Sequence, residues 1–310
     1  MTEGKGRRQT SPQYEAFRAT VLAIPPGIVW VLLAWSYYVY TVLYVPNYIL
    51  NPLTQALYLA VYHAVLVVFA TSFYRTQSIG PLGPPPQFAL TEDDMANLED
   101  GTYPGNIVTE RRLPIRTLAH NDCIRFCGAC KALKPDRAHH CSVCRRCVLK
   151  MDHHCPWVGN CVGWHNYKFF VLFLFWGVIY LGTFLCTIAP LVLGVTSTHS
   201  RTSKSRVPRR TGQAPILISF LLALSFTISM ALMLVFHLFL ISQNRSTLEG
   251  FAKINFAQPN KRGWRHASIY KNFEEVFGPL SYRWLLPVGR GSHGSGWDFK
   301  VHSADGITMV

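Results

Sequence analysis

Seven cysteines and four histidines fall between Cys127 and Cys161, in the order Cys127-x2-Cys130-x9-His140-Cys141-x2-Cys144-x2-Cys147, then His154-x6-Cys161. A Cys-x-x-Cys turn lets two thiolates grip one ion, and structural zinc takes four sulfur or nitrogen ligands in a tetrahedron. With Cys127 and Cys130 as one pair and Cys141 and Cys144 as the other, His140, Cys147, His154 and Cys161 complete two Cys3His sites. Spacing leaves open which pair takes which distal ligands, since Cys144 and Cys147 also form a Cys-x-x-Cys. The competing reading is a single zinc finger with spare buried cysteines. The stretch is polar and punctuated by Gly and Pro, so it has little apolar core and metal would supply much of its folding energy.

That count leaves Cys155 over, in the sequence Lys150–Cys161, KMDHHCPWVGNC. A thiol at its ordinary pKa is mostly protonated at neutral pH, whereas a neighbouring imidazole can take the proton and hold the thiolate as an ion pair. His153 stands two positions before Cys155 and Asp152 next to His153; an acidic residue can orient the imidazole and favour its charged form. This is nucleophile chemistry, the competing reading being Cys155 as one more ligand. In an extended segment His153 and Cys155 share a face while Asp152 points away, so an Asp152–His153 contact requires a bend, which Pro156 makes plausible.

The elements that must position these groups belong to a membrane protein. The 310 residues are 49% hydrophobic and 15% charged, and four segments are long, apolar and almost free of charge: Ile24–Val45, Leu53–Tyr74, Phe169–Gly194 and Pro215–Ile241. Each has the ~20 residues a helix needs to cross a bilayer. A cleaved signal peptide is set aside for the first, because its apolar run is too long and lacks a small-residue cleavage site. Residues 1–23, 75–168 and 242–310 carry 4, 12 and 9 Lys and Arg, 25 of 30 in all. The excess of basic residues predicts that these three segments face the cytosol. Arg201, Lys204, Arg206, Arg209 and Arg210 dissent from the predicted lumenal loop. In the reducing cytosol clustered cysteines are metal ligands rather than disulfides, and the sequon Asn244-Arg-Ser246 is discounted. The net charge of +14 fits apposition to anionic lipid; without a nucleic-acid motif, nucleic acid is excluded as a partner.

The predicted organisation is therefore a cytosolic tail (1–23), spans 1 and 2 (24–74), a cytosolic linker (75–122), a cysteine-rich zinc domain (123–168), spans 3 and 4 with a lumenal loop (169–241), and a cytosolic C-terminal region (242–310). The fold class is an all-α polytopic membrane protein with a zinc-stabilised domain between spans two and three. The Gly-rich tail from Gly289 is expected to be mobile, and His63 and His237 to be packing or polar contacts within their spans.

The Asp152-His153-His154-Cys155 run within KPDRAHHCSVCRRCVLKMDHHCPWVGNCVGWHNYKFF, between the second and third of four spans, resembles the DHHC family of protein S-acyltransferases. Downstream, Ser246-Thr247-Leu248-Glu249 resembles that family's TTxE motif. Asn272 in KNFEEVFG resembles its C-terminal asparagine motif, and YRWLLPVG is similar to the tail of its Golgi and plasma-membrane branch. The resemblance runs through most of the chain from Arg125 onward. It departs from the pattern at Gly159, where Asn is usual, and this removes any side-chain hydrogen bond from that position.

The resemblance implies an enzyme that loads a palmitoyl group from palmitoyl-CoA onto Cys155 and passes it to juxtamembrane cysteines of membrane-associated proteins. His153 would be its base and Asp152 the orienter. It implies Cys127, Cys130, His140 and Cys147 on one structural zinc and Cys141, Cys144, His154 and Cys161 on a second, and a Golgi, other endomembrane or plasma-membrane location. Trp157 and Tyr180 are expected at the acyl chain. Tyr180 lies about 18 Å beyond Lys168 at helical rise, near the reach of an extended sixteen-carbon chain; the competing reading is a tyrosine packed between helices with its hydroxyl satisfied. Other classes fit less well. A membrane-anchored zinc adaptor has no use for Cys155 beside His153, and a metal transporter needs acidic midplane ligands that the spans lack.

Overall fold

The computed structural model describes residues 11–99, 105–194, 209–252, 254–257 and 263–301. Lys5, Arg7 and Arg8 of the basic N-terminus, and Arg201, Lys204 and Arg206 of the expected lumenal loop, lie outside the described residues.

Among the described residues, four helices are long and apolar enough to cross a membrane: α1 (Pro12–Tyr48), α2 (Pro52–Ser78), α5 (Tyr167–Val192) and, within α6 (Arg209–Ser242), Gln213–Ser242. Helix α1 begins well before the apolar stretch at Ile24. Ser11 caps it by accepting from the Tyr14 N–H, and Pro12 stands at its first position, where a missing N–H costs nothing. Asn51 and Pro52 repeat the device at α2. Helix α1 absorbs a π turn at Val39–Tyr44, placing Tyr40 and Tyr44 in the core shared by the four helices with Tyr62, Tyr180 and Phe184. The outward faces carry exposed Val31, Val67, Leu232 and Val235, the composition expected where lipid is the solvent.

Between α2 and α5, two short helices, α3 (Glu92–Glu99) and α4 (Gly105–Glu110), lead into three antiparallel hairpins. These pair β1 (Phe126–Cys127) with β2 (Ala132–Leu133), β3 (His139–Cys141) with β4 (Arg146–Val148), and β5 (His153–Cys155) with β6 (Asn160–Val162). The all-α expectation thus acquires strand pairs only two or three residues long, each too small to fold on its own.

The cysteine-rich unit is tied to the ends of the spans by polar bonds. Asn160 donates from Nδ2 to the carbonyls of Thr76, Gln77 and Ile79 at 3.2, 3.1 and 2.7 Å, satisfying the orphan acceptors at the end of α2. Asn166 bridges Thr76 and Cys161 in the same way. At the start of α1, Glu15 pairs with Arg145 at 2.7 Å and Arg18 donates to the Val143 carbonyl. The beginning of α1, the end of α2 and the cysteine-rich unit therefore lie on one side of the bundle.

The C-terminal region closes around that unit through α7 (Thr247–Phe251) and α8 (Ile269–Phe277). Asn272 accepts from the His266 N–H and donates to the Ser242 carbonyl, capping α6. The tail expected to be mobile is packed instead as far as Val301. Phe299 and Val301 bury against Trp264, with the Arg137 guanidinium 4.9 Å from the Phe299 ring. Gly291 and Gly296 press on the backbone of His165 and the ring of Trp164, where any Cβ would collide. Glycine here serves close approach rather than mobility.

Candidate active site

Hairpin β5–β6 presents the chemistry. Because alternate strand residues share a face, His153 and Cys155 both reach the same cavity. Asp152 stands just before the strand and is 1% exposed. His153 Nδ1 and Asp152 Oδ2 are 2.6 Å apart. Burial would lower the His153 pKa, but the hydrogen bonds with Asp152 and Cys155 outweigh it and lift the group from 6.5 to about 9. Burial likewise opposes ionisation of Asp152, and here the hydrogen bond from His153, the histidine charges nearby and the Thr247 N–H prevail, so its pKa is lowered. Each member of the pair holds the other in its charged form.

Two groups in this shell escaped the reading of the sequence. Thr247 stands in a motif visible in the sequence, yet its contact with Asp152 crosses 95 residues: the backbone N–H and the hydroxyl each donate to the carboxylate at 2.8 Å. Ser246 and Glu249 form a capping box that starts α7 and so aims Thr247. Glu249 also pairs with buried Arg137 at 2.6 Å, tying the motif to the cysteine-rich unit. His237, expected as a packing or polar contact, bonds Tyr167 OH at 3.0 Å, and beyond that expectation its ring lies 6.0 Å from that of His153. His63 does make polar contacts within the spans, with the Leu59 carbonyl and Tyr37 OH.

Gly159, the departure in the motif, has φ +69° and sits beside Pro26, whose Cγ would be 3.1 Å from an added Cβ. The turn between β5 and β6 thus backs directly onto α1, and its N–H bonds the Cys155 carbonyl at 2.9 Å.

An apolar cavity of about 340 Å³ extends from Cys155 and His153 into the bundle. Trp157, Phe170, Phe173 and Phe226 are among the residues that line it. Tyr180 lines it too, and its hydroxyl shares hydrogen bonds of 2.6 Å with both Ser36 and Tyr62. Its ring faces the cavity while its hydroxyl is satisfied between helices.

Among the described residues, two Cys/His clusters are capable of holding zinc: Cys127, Cys130, His140 and Cys147, and Cys141, Cys144, His154 and Cys161. The Nδ1 of His140 lies 3.4, 3.4 and 4.0 Å from the three sulfurs of its group, and that of His154 lies 3.7, 3.4 and 3.6 Å from its own. Zinc–ligand bonds of about 2.0–2.3 Å give tetrahedral edges of roughly 3.5 Å, so both donor sets fit the ion. The hairpins make this possible by crossing their products. The β3–β4 hairpin sends His140 and Cys147, which face each other in register, to one cluster and Cys141 to the other.

Four spans, a zinc-capable cysteine-rich unit and a buried Cys–His–Asp arrangement opening on a lipid-sized cavity define a membrane-embedded acyl-transfer enzyme. The family model of the DHHC palmitoyltransferase matches residues 120–254. Similar proteins include palmitoyltransferase ZDHHC15 of Xenopus laevis, 38% identical over 91% of this chain and 82% of its own length. Palmitoyltransferase ZDHHC2 of Danio rerio is 37% identical over 90% of this chain and 76% of its own length. Palmitoyltransferase ZDHHC20-A of Danio rerio is 36% identical, with 90% and 77% covered. The chain belongs to the DHHC palmitoyltransferase family and is a protein S-palmitoyltransferase.

Proposed function

We propose that Cys155 is the acyl-accepting nucleophile, His153 its base and Asp152 the orienter, with palmitoyl-CoA as donor. In the first half-reaction the Cys155 sulfur attacks the thioester carbonyl as a thiolate paired with the protonated His153. The carbon–sulfur bond to CoA breaks, and the CoA thiolate takes the proton from His153 as it leaves. In the second, His153, now neutral, removes the proton of a substrate cysteine, whose sulfur attacks the acyl-enzyme; Cys155 leaves as thiolate, which restores its pair with the protonated His153. Thr247 keeps Asp152 aimed through both halves.

The observation that carries this reading is the cavity with Cys155 and His153 at one end and the Ser36–Tyr180 pair deep in the bundle. Each methylene moved from water into such a space gains ~0.8 kcal/mol, so the acyl chain enters while the thioester remains at Cys155. Trp157 and Tyr180 are its contacts at the two ends. The eight Cys and His ligands hold two structural zinc ions in the groupings given above, and bound zinc would supply folding energy and fix hairpin β5–β6. The excess of Lys and Arg in the basic segments supports a cytosolic cysteine-rich unit and cytosolic termini, and with them juxtamembrane cysteines of membrane-associated proteins as acceptors. The YRWLLPVG segment favours the Golgi or plasma membrane.

The test is incubation of the purified protein in detergent with radiolabelled palmitoyl-CoA. The expected result is label on the protein that hydroxylamine removes and that Cys155→Ser loses as a thioester. Hydroxylamine-resistant label on the wild type would overturn the assignment.

A further inference from the structure

Cations gather without anions on the side of the bundle away from the acyl cavity. Arg75, in the last turn of α2, donates from Nη2 to the Gly289 carbonyl at 2.7 Å. Lys168, in the first turn of α5, donates from Nζ to the Val288 carbonyl at 3.1 Å. Two spans thus bring positive charges to consecutive carbonyls of the chain that follows α8. Arg283 lies five residues upstream, its guanidinium 5.9 Å from the Tyr282 ring, and the charges of Arg283 and Arg75 both act on Lys168. Among the described residues, none of the three has a carboxylate within the 4.0 Å of an ion pair. Lys168 is nevertheless only 4% exposed, and a buried ammonium beside two guanidiniums is costly unless an anion joins it.

A second observation says where that anion comes from. The segment that carries the two carbonyls exposes Leu280, Tyr282 and Leu285 at 69, 71 and 53%. It is held against a span, because the Trp176 indole of α5 donates to the Leu285 carbonyl at 2.7 Å. Exposed apolar groups with Trp and Tyr, held against the first third of a span, belong in the boundary between headgroups and acyl chains. At 3.6 residues per turn, Lys168 falls roughly opposite Phe170, Phe173 and Leu174, the cavity-lining face of α5. The cations are therefore not placed to receive the CoA of a chain that lies in the cavity.

We propose that Arg75, Lys168 and Arg283 form a binding site for the phosphate of an anionic phospholipid, whose acyl chains lie along α5 beside Leu280 and Leu285. Filling the site offsets part of the cluster's charge and fastens the C-terminal segment, and through it α8, to the membrane surface.

Full-length protein in detergent, titrated with dioleoylphosphatidylserine or dioleoylphosphatidylcholine and read by native mass spectrometry, tests this. Phosphatidylserine is expected to be retained in preference, and Arg75→Gln and Arg283→Gln each to weaken that binding roughly fivefold, the worth of one cation at an anionic surface. Arg75→Gln also removes a tether to Gly289. Arg283 makes no side-chain hydrogen bond among the described residues, so Arg283→Gln carries the result if the first variant folds poorly; autoacylation in lipid-free detergent at the wild-type rate shows that a variant is folded. Equal retention of the two lipids, or undiminished phosphatidylserine binding in folded Arg283→Gln, overturns the proposal. So does displacement of phosphatidylserine by excess free CoA, which would assign the cations to the donor's phosphates.

Discussion

Thr247 grips Asp152 at both oxygens, its backbone N–H on Oδ1 and its hydroxyl on Oδ2, each at 2.8 Å. The second oxygen is the one that meets His153 Nδ1, so one threonine from beyond the fourth span fixes the plane of the carboxylate that fixes the imidazole. Replacing an acceptor's charged hydrogen bond costs about 1.5–3 kcal/mol. Thr247→Ala should therefore slow autoacylation roughly 10- to 100-fold, and Thr247→Ser, which keeps the hydroxyl, should recover most of the loss. Rates of label incorporation at saturating palmitoyl-CoA decide it; a Ser variant as slow as the Ala variant would show that the methyl group, not the hydrogen bond, matters.

His153 gives a pH signature. Its pKa is raised in the folded protein, about 9 against an ordinary 6.5. The protonated form is therefore the stabilised one: its contribution is fully present below pH 6.5 and disappears as pH rises through about 9. The stability advantage of wild type over His153→Ala, read by thermal unfolding in detergent, should shrink between pH 6.5 and 9.5. Loss of a base costs about 10²- to 10⁴-fold in rate, and raising pH should return part of it to His153→Ala by forming thiolate directly. An advantage that grows with pH would contradict the ion pair.

What the sequence displays and what it hides divide along contact distance. The spans are legible because lipid imposes length and apolarity on each one separately, and the eight candidate ligands because zinc imposes a count and a spacing, while their division into two quartets follows from the family resemblance, since Cys144 and Cys147 also form a Cys-x-x-Cys. Cys155 stands out by subtraction from those quartets. Thr247 and His237 do not, since each acts on Asp152 or His153 across 95 residues or from another span, and no local pattern records such a contact. The tail misled for a related reason. Gly291 and Gly296 resemble a flexible linker in composition, yet they exist to let backbone approach His165 and Trp164.

Tyr180 separates wall from packing. Tyr180→Phe keeps the ring and loses the bonds to Ser36 and Tyr62, so stability should fall by about 1 kcal/mol while chain-length preference stays. Tyr180→Ala opens space at the deep end, and eighteen-carbon acyl-CoA should then gain on sixteen-carbon, by up to about tenfold for two added methylenes. Competition between the two donors, with the attached chain identified by mass spectrometry, gives the ratio. An unchanged ratio in Tyr180→Ala would move the end of the acyl site elsewhere.

Counting metal separates ligand from nucleophile. The two clusters use eight of the eleven Cys and His groups between Cys127 and Cys161, leaving Cys155, His153 and His139 outside them. Cys155 lines the cavity, whereas the eight donors face inward to each other. Wild type should therefore contain two zinc ions per chain, and Cys155→Ala should contain two with unchanged thermal stability. Cys130→Ala and Cys144→Ala each break one tetrahedron and should lower both zinc content and stability, because ligand binding and folding are coupled here. They should also lose autoacylation although neither residue lies in the cavity, since His154 stands between His153 and Cys155 on strand β5 and the metal it would hold positions both neighbours. Elemental analysis of the purified variants settles the matter: one zinc in Cys155→Ala would make Cys155 a ligand and remove the nucleophile from the scheme.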